Sequence, residues 1–185
     1  MKRCQWTGKD PLMIIYHDQE WGVPVKDDHK WFEFIVLESF QAGLSWKTIL
    51  HRREGFRKAF FNFDVKKVSK MKEIRMLELM EDKGIIRNKL KIRSTVSNAK
   101  AFMEIQKEFE SFNKYIWSFT NNKTIKNTAN KMSDLPAKTN LSDKISGDLK
   151  KRGFKFMGST ICYAMLQAAG IINDHTTDCF RYNEI

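Results

Sequence analysis

Four soft metal ligands lie at the two extreme ends of the chain: Cys4 and His17 near its start, His175 and Cys179 near its finish. Two thiolates and two imidazoles are the donor set of a closed, tetrahedral structural Zn²⁺ site. One ion shared by all four would tie the N-terminus to the C-terminus, and that closure constrains the fold more than any other feature. The i, i+4 spacing of His175-x-x-x-Cys179 predicts both ligands on one face of a helical turn, and the stretch from Cys4 to His17 is long enough to fold back. The chain holds only three Cys and four His, so this set uses at least half of each. The plain alternative is a free N-terminal thiol, a surface His and a chance terminal pair. Ligands so far apart differ from those of a zinc finger, which share a short span. Four protein ligands also leave no position for a reacting water, so the expected cofactor is a structural zinc.

A chain of 185 residues can bury the core of one domain, or of two helical lobes flanking a cleft. We expect one domain over residues 1–185. Hydrophobic residues make up 42%, which places the chain among globular and not disordered proteins. Lys and Arg number 33 against 22 Asp and Glu, a net charge of +11. That excess favours a polyanionic partner, with nucleic acid ahead of membrane because no basic amphipathic helix stands outside the fold; solubility alone is the competing explanation. Cys162, within Ile161-Cys162-Tyr163-Ala164-Met165-Leu166, reads as a small buried hydrophobe. With no signal-peptide pattern and no apolar run near 18 residues, a cytoplasmic monomer without a membrane partner is expected.

Only three Pro and nine Gly punctuate the chain, while Lys, Glu, Met and Leu recur at helical spacing in Met76-Leu77-Glu78-Leu79-Met80 and over 92–109. The expected fold class is all-α. Asp10-Pro11 reads as an N-cap followed by Pro at the first helical position, opening a helix over 11–16. Asp64 and Ser142 are further N-cap candidates, and Gly170 is a stop for a helix beginning near Ser159. The polar, Asn-rich stretch 120–140 reads as a long surface connection, or as an interdomain linker.

Two constellations carry chemistry. The first gathers Trp6, Tyr16, Trp21, Trp46 and Glu38 in the first quarter of the chain. Glu38 follows the apolar run Phe34-Ile35-Val36-Leu37 and precedes a Gly turn, and an acid placed there needs a partner. Core packing would explain the aromatics, and a helix-end position the acid. Together they make a box whose aromatic faces stack on flat bases and whose carboxylate meets a base edge or a positive ring, which suits a cationic nucleobase. The second is Lys150-Lys151-Arg152-Gly153-Phe154-Lys155-Phe156-Met157-Gly158-Ser159-Thr160, a basic turn between two helices. Its backbone N–H groups can face a phosphate, backed by the N-terminus of the second helix, in a helix-hairpin-helix arrangement; a solvated basic loop is the alternative. Gly84-Ile85-Ile86-Arg87-Asn88-Lys89 is a second, weaker basic turn opening a long helix.

These motifs stand in a recognisable order. Cys4-x-Trp6, Asp10-Pro11-Leu12, Tyr16-His17-Asp18-x-Glu20-Trp21-Gly22-Val23-Pro24, Leu37-Glu38-x-x-Gln41-Ala42-Gly43-Leu44-Ser45-Trp46, Gly84-Ile85-Ile86-Arg87, Lys151-Arg152-Gly153-Phe154-Lys155-Phe156-x-Gly158 and Asn173-Asp174-His175-x-x-x-Cys179 together resemble the bacterial 3-methyladenine DNA glycosylase I family over essentially the whole chain. The resemblance implies a helix-hairpin-helix glycosylase fold, a structural zinc on Cys4, His17, His175 and Cys179, and a pocket in which Glu38, Tyr16 and Trp46 hold a flipped base with Trp6 and Trp21 as walls. It implies double-stranded DNA containing alkylated adenine as substrate and free 3-methyladenine as product. DNA contacts are expected from Lys151, Arg152, Lys155, Gly158, Ser159 and Thr160. Leu44, on the turn between Gly43 and Ser45, is expected to fill the gap left by the flipped nucleotide, with a core leucine as the alternative.

The chain departs from the pattern at Met13, where the family often carries an aromatic donor. Many helix-hairpin-helix glycosylases also place an Asp two residues before a His, and here Asn173 holds that position while Asp174 is one residue off. The position of the superfamily's lyase Lys corresponds to Thr160. These departures imply a monofunctional glycosylase without strand cleavage. A base alkylated at N3 is already cationic and leaves as a neutral molecule, so extrusion and placement against Glu38 suffice, with water as nucleophile. A non-enzymatic zinc-stabilised DNA-binding module and a broader alkylbase glycosylase are the competing readings. A zinc deaminase is excluded, because no Glu flanks a ligand His as its motif requires and no Pro-Cys-x-x-Cys run occurs.

Overall fold

A computed structural model describes the whole chain, residues 1–185. Ten α-helices account for most of it: α1 (Pro11–Gln19), α2 (Asp28–Gln41), α3 (Trp46–His51), α4 (Arg53–Ala59), α5 (Val65–Ser69), α6 (Glu73–Glu78), α7 (Lys89–Phe109), α8 (Phe112–Ser118), α9 (Asn140–Lys151) and α10 (Ser159–Ala168). Seven of them start under a side-chain cap, from Asp10, Asp27, Ser45, Asp64, Asn88, Ser111 and Thr139 in turn. Each cap satisfies a first-turn N–H that has no intrahelical partner. Asp64 caps α5 as expected, but Ser142 does not start a helix. Thr139 does, and Ser142 is the other half of a reciprocal capping box, its Oγ accepting from the Thr139 N–H at 2.8 Å. No helix is long and apolar enough to cross a membrane.

α2 is the central helix. Every residue from Trp31 to Phe40 is buried, and α3, α7, α8 and α10 all pack on it, as a helix buried on all sides requires. Its end is fixed by Lys91 of α7, whose Nζ donates to Phe40 O at 2.8 Å and Ala42 O at 2.6 Å. Those carbonyls would otherwise be left without partners at a buried helix C-terminus. Its start is fixed by Asp28, which accepts from Phe112 N at 2.9 Å and Asn113 N at 2.8 Å and so docks α8. The buried apolar side chains form one contiguous core.

The two ends of the chain meet. Phe180 N donates to Lys2 O at 3.0 Å, and Val25 N donates to Ala169 O at 3.0 Å. Gly170, with φ +70, ends α10 where a Cβ would lie 2.5 Å from Gly22 O and Pro24 N, so no larger residue fits. The connection 120–140 is not wholly irregular: β1 (Ile125–Lys126) pairs in parallel with β2 (Ile172–Asn173). Two residues per strand are too few for alternation to reveal, so the fold is mostly helical with this one short ladder added.

Candidate active site and metal centre

Trp6, Met13, Tyr16, Trp21, Glu38 and Trp46 all line one cavity of about 780 Å³. Met13 and Tyr16 project from α1 at i, i+3 spacing, which puts them on one face. Glu38 comes from the last turns of α2, Trp46 from the start of α3, and Trp6 from the 3₁₀ turn Gln5–Thr7. The aromatic rings meet edge to face or tilted: Trp6 to Trp21 at 5.1 Å and 73°, Trp6 to Tyr16 at 6.2 Å and 60°, Tyr16 to Trp46 at 5.1 Å and 44°. Their packing leaves a slot and does not fill it. Asp10 holds the slot's two sides together: it caps α1 and pairs with Lys47 at 3.0 Å and His51 at 2.8 Å, both on α3.

Two acids on α2 show what the slot is built for. Glu33 and Glu38 are both buried. Burial by itself would raise the Glu33 pKa, yet hydrogen bonds and charge from Arg53 and Lys30 bring it down to about 2; Arg53 donates to it at 2.8 Å and grips Glu20 with two bonds of 2.7 Å. Glu38 has no such partner, and burial pushes its pKa up to about 8. Its Oε2 is buried without a hydrogen bond, and so are the indole N–H groups of Trp6 and Trp46. Buried polar atoms are nearly always paired. Three unpaired ones on residues that line a single cavity, one acceptor and two donors among aromatic rings, suit a receptor for a flat, polar-edged ring.

Sequence reasoning missed several residues around this slot. Gln41 lines it from α2, one turn beyond Glu38, and Gln167 lines it from α10. Gln41 sits inside the quoted Gln-Ala-Gly-Leu-Ser-Trp block, so its spacing from Glu38 was an available signal; Gln167 had none. Asp174 is buried and accepts hydrogen bonds from Asn127 at 2.7 Å, Tyr163 at 2.5 Å and Gln167 at 2.7 Å. Asn173 donates to Tyr182 O and Ile185 O and accepts from the His175 N–H. Both residues serve the C-terminal turn.

The basic turn between α9 and α10 spans 152–158. Lys151, Lys155 and Thr160 are exposed. Gly158 caps α10 without a side chain, so the first N–H groups of that helix are free to meet an anion. Ser159 Oγ is bonded to Ser142 Oγ at 2.8 Å. Arg152 sits differently from the expectation: its guanidinium binds Glu108 at 2.6 Å and Asp148 at 2.7 Å and stacks over Phe109 and Tyr115. Local sequence shows a cation in a basic run, whereas α7 supplies its partner from 44 residues away. Asn98 of α7, also unforeseen, clamps the turn by exchanging two hydrogen bonds with the Lys155 backbone, at 2.8 and 3.0 Å. Leu44 is exposed on the turn after α2.

Cys4, His17, His175 and Cys179 converge, all buried, with ligand atoms within 4.8 Å of one another. His175 and Cys179 lie on a non-helical turn after β2 and not on the helical turn their spacing predicted; the Cys179 N–H closes that turn onto Thr176 O at 2.8 Å. The contacts are Cys4 Sγ to His175 Nδ1 at 3.6 Å, Cys179 Sγ to His175 Nδ1 at 3.5 Å and Cys179 Sγ to His17 Nε2 at 3.4 Å. A tetrahedral ion with Zn–S of about 2.3 Å and Zn–N of about 2.0 Å has S···N edges of about 3.5 Å. The remaining ring nitrogens are taken: His17 Nδ1 meets Asp18 at 2.8 Å, and His175 Nε2 meets Trp21 O at 3.2 Å. That outer support is typical of metal-binding imidazoles. Burial lowers the His17 pKa and takes His175 down to about 4, keeping both rings neutral. Burial pushes the Cys4 thiol up to about 12, so a thiolate there calls for a cation. The group fits a metal ion.

A family model described as methyladenine glycosylase matches residues 6–182. DNA-3-methyladenine glycosylase 1 of Escherichia coli (strain K12) is 47% identical over 182 residues, 98% of this chain and 97% of that protein. A crystal structure of a 3-methyladenine DNA glycosylase I superimposes with a TM-score of 0.94 at 46% identity, covering 97% of this chain and 98% of the other. A variant of such an enzyme, solved in complex with 3-methyladenine, also superimposes with a TM-score of 0.94, at 34% identity and 97% of each chain. Sequence and fold agree along almost the full length, and the chain belongs to the methyladenine glycosylase family.

Proposed function

We propose that this protein is a monofunctional DNA glycosylase that excises 3-methyladenine from alkylated double-stranded DNA. The observation that carries the reading is the buried Glu38 carboxyl, unpaired at Oε2, in the lining of an aromatic slot with two unpaired indole N–H groups. A 3-methyladenine nucleotide flipped into the slot presents a flat cationic ring to Trp46 and Tyr16 and an amino-bearing edge to Glu38. The positive ring also favours the carboxylate form of Glu38 over the neutral acid. The bond from C1′ to the ring nitrogen breaks with its electron pair moving onto the ring, which becomes neutral. Water then forms the new bond at C1′ and loses a proton to solvent. Without a lysine at Thr160 the chain has no amine there to attack the sugar, which supports base release without strand cleavage. Met13 packs as an apolar wall.

The ion we assign to Cys4, His17, His175 and Cys179 is zinc, from the donor set and edge lengths. Its role is structural, since four protein ligands leave no reacting position. Phosphates meet the helix-hairpin-helix turn at Lys151, Lys155 and the N–H groups of Gly158, Ser159 and Thr160, with Arg152 bracing the turn. Leu44 fills the vacated place in the duplex. The protein acts as a monomer.

The deciding experiment is chromatography of bases released from methylated duplex DNA by the purified protein. Release of 3-methyladenine with intact strands is expected; DNA binding without release would make the chain a zinc-stabilised binding module. Two variants locate the parts. Trp46→Ala should weaken free 3-methyladenine binding by roughly tenfold or more, since base–aromatic stacking is worth about 1–3 kcal/mol; NMR titration reads this directly, and unchanged affinity would remove Trp46 from the site. Lys155→Glu should weaken binding to every duplex alike, about tenfold at low salt, because phosphate contacts carry no sequence information. Full affinity in a folded Lys155→Glu protein would place the DNA surface elsewhere.

A further inference from the structure

A second concavity, of about 440 Å³, is lined by Arg52, Lys83, Ile85, Ile86 and Arg87. None of its three cations has a carboxylate within ion-pair distance, whereas most arginines elsewhere in the molecule are paired. Arg52 is anchored by one bond, from Nη1 to Lys83 O, which leaves its other N–H groups free. The backbone is held as firmly as in an interior: a Cβ on Gly55 would lie 2.1 Å from Gly84 O, so α4 and the 83–87 turn touch main chain to main chain. Cations around an apolar floor match a sugar–phosphate unit, with phosphate oxygens meeting the charges and deoxyribose resting on the isoleucines.

Its position connects it to the slot. Arg52 is the C-cap of α3, the helix whose N-terminal residue is Trp46 and whose cap follows Leu44. Six residues of helix separate the two ends by about 9 Å, little more than one nucleotide step. The same turn opens α7, whose Lys91 holds the Ala42 carbonyl next to the Leu44 turn and lies 5.9 Å from the Phe156 ring of the α9–α10 turn. The basic concavity, the Leu44 turn and the basic turn with Lys155 are thus joined through the start of α7.

We propose that Arg52, Lys83 and Arg87 form a second phosphate-binding subsite, gripping the DNA backbone separately from the α9–α10 turn. The proposal rests on the glycosylase reading, because it needs duplex DNA seated over Leu44. Two grips with the wedge between or beside them would hold the strand against the recoil of the unstacked nucleotide, so that extrusion is not undone by the duplex sliding off.

The test scans a methylated duplex with single neutral methylphosphonate substitutions, using wild type and the Lys83→Gln/Arg87→Gln double variant; Arg52 stays because it braces the turn. Wild type should lose affinity at two separate groups of phosphates. The double variant should bind unsubstituted duplex about fivefold to tenfold more weakly at low salt, with a salt slope shallower by about two, one for each cation removed. It should lose most of its sensitivity to substitution at one group, Arg52 alone remaining there, while keeping full sensitivity at the other, and it should bind free 3-methyladenine as wild type does. An interference pattern identical in the two proteins would overturn the subsite and leave the glycosylase assignment standing. Wild type that releases no base would instead strike at that assignment, and the subsite would fall with it.

Discussion

Glu38→Gln should excise 3-methyladenine about 5- to 10-fold more slowly than wild type, the loss expected when a charged hydrogen bond worth about 1.5–3 kcal/mol becomes a neutral one worth about 0.5–1.5 kcal/mol. Affinity for undamaged duplex should stay within about twofold, because the acid lies inside the slot and away from the phosphates. The same variant should be more stable than wild type, by an amount that depends on pH. Burial raises the Glu38 pKa from 4.5 to about 8. Below pH 4.5 the group is neutral in both folded and unfolded chains and costs nothing. Between 4.5 and 8 the unfolded chain ionises while the folded one resists, so wild type loses up to about 1.4 kcal/mol per pH unit relative to a residue that does not titrate. Glutamine is such a residue. The melting temperature of Glu38→Gln should therefore match wild type near pH 4 and exceed it by several degrees near pH 8. Equal excision by the two proteins, or melting curves with the same pH dependence, would make Glu38 a structural acid.

Cys179→Ser should lose its metal and melt at least about 10 °C lower, since each kcal/mol is worth roughly 2–4 °C in a chain of this size and metal binding is linked to folding. Freshly purified wild type should carry one zinc per chain by elemental analysis, and a metal-free, fully stable wild type would refute the assignment. Loss of the metal should also reach the slot. Cys4 immediately precedes the turn that carries Trp6, and the His175 ring packs edge-on against Trp21 at 4.5 Å and 75°. Two walls of the slot lean on the metal centre, so Cys179→Ser should bind free 3-methyladenine more weakly even below its melting temperature. Affinity unchanged at 10 °C would separate the two sites.

Local chemistry was legible wherever neighbouring residues decide it. Asp10-Pro11 starts α1, Asp64 caps α5, and Gly170 stops α10, because a cap or a positive φ depends on the three or four residues around it. The set of two Cys and two His that converge and the aromatic–acid content of the slot could also be read, since residue type fixes what a side chain can coordinate or stack on. The order of the motifs did more than any one of them, because matching blocks spread over the chain limit it to one family.

Other features depended on which distant segments meet. The i, i+4 spacing of His175 and Cys179 suggested a helical turn, but pairing of β2 with β1 extends the backbone up to Asn173 and the ligands sit on the turn that follows. Arg152 reads in sequence only as one cation of a basic run, and its partner Glu108 comes from α7, 44 residues away. Glu33 and Glu38, five residues apart on one buried helix, are indistinguishable by pattern; one is ionised because α4 brings Arg53 to it, and the other is left unpaired because nothing does. A residue's chemistry is set by its own atoms and its near neighbours, and the sequence alone determines that much. Its charge state, its partners and the empty space before it are set by long-range packing, and those only the tertiary structure decided.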